Sequence, residues 1–263
     1  MMDFNKIVQK LGTKGGKIVF RDDIFEIIDP EKKAIYSSKL NKYIYKLKSM
    51  GVIVNLRAGV YIVPDTEDVK LNKIDLIDKY YLKLLKKYII YYVGSSYYIS
   101  GRKSLEFHMK NFEIPEKIFI VNRSLNKKIK IGNLEIIFKT ISGTDIYGKK
   151  INLFSKMSEF IVSKKIENLG FKLSCLELSL IEAALVNDTE LGIPVELLSK
   201  SIKKYGEVMN KDIFYKIGKY KFVMSFNRLK EIAKHINKDM YEVFLDIIKK
   251  NGGLFIGEGL RGF

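Results

Sequence analysis

Ser100-Gly101-Arg102-Lys103-Ser104 has the composition of an anion cradle, and Glu106 and His108 follow close behind. Backbone N–H groups at a helix start, flanked by an Arg-Lys pair, can hold a phosphate. The same residues also read as a plain strand-to-helix turn with both cations in solvent. Arg102, Lys103 and Ser104 are the candidate phosphate or nucleic-acid contacts of this stretch. Upstream lies Gly94-Ser95-Ser96. A Gly-Ser step followed about ten residues later by paired carboxylates can hold two metal ions for phosphoryl transfer. Here Glu106-Phe107-His108 takes that place, with one carboxylate where two ligands are needed, so no nucleotide transfer is expected. A metal-dependent nuclease would need Glu106, Glu135 and Asp145 to converge, which spacing leaves open. His108 and His235 stand outside any metal-spaced cluster and read as structural or surface histidines. Cys175, next to a helix start at Ser174, reads as a buried inert thiol. No catalytic residue, metal ligand or cofactor is assigned, and the chain is not expected to be an enzyme.

A second kind of chemistry is carried by charge. From Lys32 to Pro64 there are seven lysines and arginines and no Asp or Glu, in a chain with 30 acids. Solvated helix faces are usually mixed in sign, so an acid-free run points to a polyanion. The residues that carry it need a scaffold. Leu40, Ile44 and Leu47 recur at helical spacing and predict an amphipathic helix that Gly51 closes. Outside that apolar stripe fall Ser38, Lys39, Lys42, Tyr45, Lys46 and Lys48. After the glycine the period becomes two, with Val52, Val54 and Leu56 alternating with Ile53 and Asn55. Arg57-Ala58-Gly59 then turns into Val60-Tyr61-Ile62-Val63, which puts Arg57 at or near a hairpin tip. The expected DNA contacts are Ser38, Lys39, Lys42, Tyr45, Lys46 and Arg57.

The 47 basic and 30 acidic residues give a net charge of +17, which suits an anionic partner. A length of 263 residues with 47% hydrophobic side chains is enough for real cores in one or two domains. One cysteine excludes an intramolecular disulfide, no apolar run approaches a membrane span, and the first residues lack a signal-peptide core. A cytoplasmic protein without a membrane partner is the expectation.

Ahead of the basic helix, Phe4, Ile7, Val8 and Leu11 predict a first helix, Lys17 to Phe20 a strand, and Ile24, Ile27 and Ile28 a second helix ending before Pro30. Helix, strand, helix, basic helix and ribbon is the order of a winged helix-turn-helix over residues 1–66. Polar Asp65 to Lys70 reads as a hinge, and Leu71 to about Tyr91 as one long helix. Residues 71–263 then read as a larger mixed domain, mostly helical after 174. A hairpin about Gly132-Asn133 is expected, and residues 151–169 fit either a helix or a second hairpin, the hairpin being preferred. Ser174 with Glu177 reads as a capping box. The fold class expected is α+β. Lysine and tyrosine interleave from Lys79 to Tyr92, which leaves open an RNA-binding module.

At YYISGRKSLEFH (97–108), followed by IFIVN, KIKIGNLEIIFKTI and LSCLELSLIEAAL, the chain resembles the AbiEi-type antitoxins. These are the antitoxin and repressor components of type IV toxin-antitoxin systems, paired with a nucleotidyltransferase-like toxin. The resemblance spans roughly residues 5–190. The family pattern often has a small residue before the leucine and a glycine after the histidine; here Ser104 precedes Leu105 and Met109 replaces the glycine. The resemblance implies a winged helix that binds double-stranded DNA at its own promoter, and a C-terminal domain that neutralises the toxin with or without direct contact.

Overall fold

The computed structural model describes residues 4–30, 37–68, 70–144, 150–185, 195–220 and 222–251. The chain is mixed α+β and divides into two compact units, one of residues 1–91 with 130–133, the other of 92–129 with 134–263.

In the first unit, α1 (Phe4–Gly12), β1 (Lys17–Phe20), α2 (Arg21–Ile28) and α3 (Ser37–Ser49) precede a hairpin of β2 (Val54–Arg57) and β3 (Val60–Val63). The strands form a sheet in the order β1-β3-β2, antiparallel throughout, with Ile18 opposite Ile62 and Val54 opposite Ile62 on its other side. Periodicity makes the core: Ile7, Leu11, Ile24, Ile28, Leu40, Ile44 and Leu47 meet Ile53, Tyr61 and Val63. Strict alternation fails in β2. The register shifts between Asn55 and Arg57, and Ile53 and Leu56 are the buried residues, each 1% exposed.

Asp65 to Asp68 is no loose hinge. Thr66–Asp68 is a turn of 3₁₀-helix, and the buried Asp68 carboxylate accepts from the Asp65 N–H, from Lys79 Nζ and from the Tyr80 hydroxyl, each at 2.7 Å. The helix expected from Leu71 is correspondingly two, α4 (Lys73–Lys79) and α5 (Tyr81–Val93), broken at Tyr80. These belong to the first unit through Lys83 Nζ, which donates to the Gly16 carbonyl at 2.9 Å, and Lys87, which pairs with Asp23 at 2.8 Å.

After α5 come β4 (Tyr97–Ile99), α6 (Gly101–His108), β5 (Lys117–Asn122), β6 (Lys127–Ile131, whose last two residues fall in the first unit), β7 (Leu134–Lys139), and the small pair β8 (Ser142–Thr144) and β9 (Lys150–Asn152). Next come α7 (Phe154–Met157), a 3₁₀ turn at Ser158–Phe160, β10 (Ile161–Ile166) and β11 (Leu169–Ser174). Residues 154–174 therefore hold a helix and then a hairpin. The hairpin turns on Glu167 and Asn168, both with positive φ (45° and 65°). The six-stranded sheet runs β10-β11-β4-β5-β7-β6, with β11 parallel to β4 and β5 parallel to β7. From Leu176 on, the described residues form α8 (Leu176–Ala183), α9 (Val195–Tyr205), α10 (Lys211–Gly218), α11 (Val223–Ala233) and α12 (Lys238–Lys250). They share a core built on Leu180, Ile202, Phe214, Phe226 and Phe244. Among the described residues, no helix is long and apolar enough to cross a membrane.

Candidate nucleic-acid interface

Helix α3 is fixed at its core face and at its end. Leu40, Ile44 and Leu47 are 6%, 6% and 0% exposed, as their spacing predicts. Gly51, at φ +70°, lets the chain reverse: the Val52 N–H reaches back to the Leu47 carbonyl and the Gly51 N–H to the Lys48 carbonyl, each at 3.0 Å. This pairing satisfies carbonyls that the last turn would leave open. The opposite face is polar. Ser38, Lys39, Asn41, Lys42, Tyr45 and Lys46 are all exposed, Tyr45 at 73%. Lys46 Nζ stands 4.1 Å from the centroid of the Phe4 ring, which stacks on Tyr43. That contact orients one ammonium from below without neutralising it.

Arg57 is exposed and is the last residue of β2, next to the Ala58-Gly59 turn, where Gly59 has φ +75°. The Arg21 N–H donates to the Gly59 carbonyl at 2.9 Å, so the tip is tied to the start of α2. Thus the expected DNA contacts Ser38, Lys39, Lys42, Tyr45, Lys46 and Arg57 all lie exposed on one helix and one hairpin of the first unit. Lys32 and Lys33 lie outside the described residues. Asn41 is a residue that selection by charge misses; its position three residues after Ser38 on the same exposed side is the signal that finds it.

The second candidate does not form. Lys103 and Ser104 are 1% and 0% exposed and face the interior. Lys103 Nζ bonds Glu106 at 3.1 Å and the Glu113 carbonyl, and stands 4.7 Å from the centroid of Phe107. Burial holds its pKa below the ordinary lysine value, against the pull of Glu106. The Ser104 hydroxyl donates to the Ser174 carbonyl at 3.1 Å and accepts from Ser179 at 2.8 Å. Both side chains are buried and already bonded within the fold, so neither is presented to a phosphate. Arg102 is half-exposed, with Nε on Glu106 at 2.7 Å. Burying a charge is tolerable only when it is paired, and Glu106 was available three residues on.

The same segment instead forms a polar joint. Glu182, 4% exposed, accepts from the Tyr98 hydroxyl at 2.8 Å and the Gly101 N–H at 3.0 Å. Burial raises its pKa; Gly101, Ser100, Tyr98 and Ser174 oppose the rise. His108 Nε2 donates to the Ser174 carbonyl at 2.8 Å, and burial lowers its pKa, so it is a neutral structural histidine. Cys175, not Ser174, caps α8: its sulfur accepts from the Leu178 N–H at 3.5 Å, and burial pushes the thiol up to about 12. Glu177 accepts from the Asn210 N–H at 2.8 Å rather than closing a capping box.

For the nuclease reading, Glu106 is engaged by Arg102 and Lys103, and Asp145 lies outside the described residues. Among the described residues there is no group of three or more His, Cys, Asp or Glu placed to hold a metal. His235 is exposed. For the RNA reading, Tyr80, Tyr81 and Tyr88 are packed at 6%, 5% and 2% exposure, whereas Tyr91 is 51% exposed with its hydroxyl on Asp22 and Tyr92 is half-buried.

No family model matches the chain, and no curated protein does. Among solved structures it is similar to the RV2827C protein from Mycobacterium tuberculosis, with a TM-score of 0.62 at 11% identity, covering 94% of this chain and 80% of that one. At that identity the likeness is one of fold.

Proposed function

We propose that residues 1–66 are a winged helix-turn-helix that binds duplex DNA through α3 in the major groove, with the β2–β3 hairpin as its wing on the flanking backbone. One observation carries this reading: α3 buries Leu40, Ile44 and Leu47 and leaves Lys39, Lys42, Lys46 and Tyr45 in solvent, beside a hairpin that ends on exposed Arg57. Helix entry into a groove with a flanking backbone contact is what such an arrangement serves. The resemblance of roughly residues 5–190 to AbiEi-type antitoxins extends the proposal. The chain is a cytoplasmic, non-catalytic antitoxin. It represses its own operon through the winged helix and counters a nucleotidyltransferase-like toxin through the C-terminal domain.

The test is a titration of promoter duplex at several salt concentrations. Each phosphate contact contributes about 0.9 to the logarithmic salt slope. Lys42→Glu with Lys46→Glu abolishes binding while the protein stays folded, because both side chains are exposed. Arg57→Ala costs less, about 1 kcal/mol, if the wing meets only backbone. Parent-like binding by the double variant would remove α3 from the interface. Co-expression of the full chain with the toxin of a neighbouring reading frame tests the antitoxin half: restored growth supports it, and continued arrest with the chain present and folded rejects it.

A further inference from the structure

The solvent side of α3 carries two rows of different chemistry. Ser38, Asn41 and Tyr45 stand at spacings of three and four, and Lys39, Lys42 and Lys46 repeat those spacings one residue later. At 3.6 residues per turn each trio makes a line along the helix, and the two lines lie side by side. All six residues are exposed. The cationic line is on the α1 side, since Lys46 Nζ is 4.1 Å from the centroid of the Phe4 ring on α1. The uncharged line is on the side away from α1.

Those rows suit different parts of a duplex. Ammonium groups are point charges that phosphates attract whatever the sequence. Asparagine presents a donor and an acceptor at fixed spacing, which matches N7 and N6 of adenine in the major groove; serine bonds any base edge, and an aromatic face can lie against the thymine methyl. Resting on the duplex-DNA reading above, we infer that Ser38, Asn41 and Tyr45 read an A·T-containing step, with Asn41 on adenine and Tyr45 against a thymine methyl. Lys39, Lys42 and Lys46 hold the backbone and carry no sequence preference.

The experiment uses the full chain and a pool of duplexes with a randomised centre. The enriched duplex is then titrated beside its single base-pair substitutions over a range of salt. A·T pairs are expected at the read positions, and replacing the contacted adenine by guanine weakens the parent by roughly 5- to 150-fold. Asn41→Ala binds both duplexes alike with the parent's salt slope. Tyr45→Ala removes the distinction between thymine and uracil at its position. Lys39→Ala and Lys46→Ala keep every base preference and lower the salt slope by about 0.9 each. If Asn41→Ala keeps the parent's adenine preference, or the enriched sites have no A·T requirement, the reading row is wrong although DNA binding stands. A parent that binds no duplex fails at the first step and takes the broader reading down with it. Circular dichroism of each variant separates loss of contact from loss of fold.

Discussion

The Tyr98 hydroxyl donates to Oε1 of Glu182 over 2.8 Å, joining β4 to α8 across 84 residues of sequence. Both side chains are buried, at 0% and 4% exposure.

Stability should therefore depend on pH through Glu182. Burial raises its pKa, so the folded chain binds this proton more tightly than the unfolded chain. The contribution is complete below the unfolded value of roughly 4.3 and is lost as pH rises through the folded value. Relative to Glu182→Gln, the parent's urea midpoint should be most favourable below about pH 4.3 and should decline as the pH is raised above that value. A difference that is flat or grows with pH contradicts the assignment.

Glu106 and Lys103 should not be equivalent. Glu106→Gln leaves Lys103, 1% exposed, without its counter-charge and should cost about 3 kcal/mol. Lys103→Met leaves Glu106 on Arg102 at 2.7 Å and should cost roughly 1 kcal/mol. Chemical denaturation of the two variants checks the order; equal costs would mean that the pair is not buried as described.

Cys175 should resist thiol reagents. With its thiol pushed up to about 12, only roughly one molecule in ten thousand is thiolate near pH 8. Native protein should be modified no faster than it unfolds, and denatured protein at once.

A fragment ending at residue 70 should be less stable than one ending at residue 91. The shorter piece keeps Asp68 but loses Lys79 and Tyr80, the partners of its buried carboxylate, and loses Lys87, the partner of Asp23. An unpaired buried carboxylate costs on the order of 2 kcal/mol, a large share of a small domain's stability. Thermal unfolding of both fragments decides; equal midpoints would restore a hinge at residues 65–70.

What the sequence discloses and what it hides divide along the range of the interactions. Leu40, Ile44 and Leu47 were legible because a helix stripe is set by spacing alone, and Gly51 because a left-handed residue is a local requirement. The break at Tyr80 was not, since the carboxylate that the Tyr80 hydroxyl meets there, Asp68, lies twelve residues upstream. Lys103 read as a solvated cation because nothing nearby announces that the backbone carbonyl of Glu113, ten residues on, supplies it a partner. The cap on α8 slipped by one residue because Ser174 is the better local cap, yet its hydroxyl is taken by Ser104 and Ser179. Residues 151–169 carried helix and strand signals together, and the chain obeys both in succession.

The parallel neighbour of β4 is β11, and the Ser174 hydroxyl that meets the Ile99 carbonyl is 75 residues downstream. During synthesis at about 5–20 residues per second, β4 waits roughly 4 to 15 s for that neighbour. Throughout that interval the nascent chain carries an open strand edge that includes Tyr97 and Tyr98, both buried in the finished protein. Slow codons or stalled ribosomes between Asn122 and Leu169 would lengthen the exposure. Yield in a cell should therefore respond to translation speed through this interval more than through α9 to α12, whose partners are close at hand.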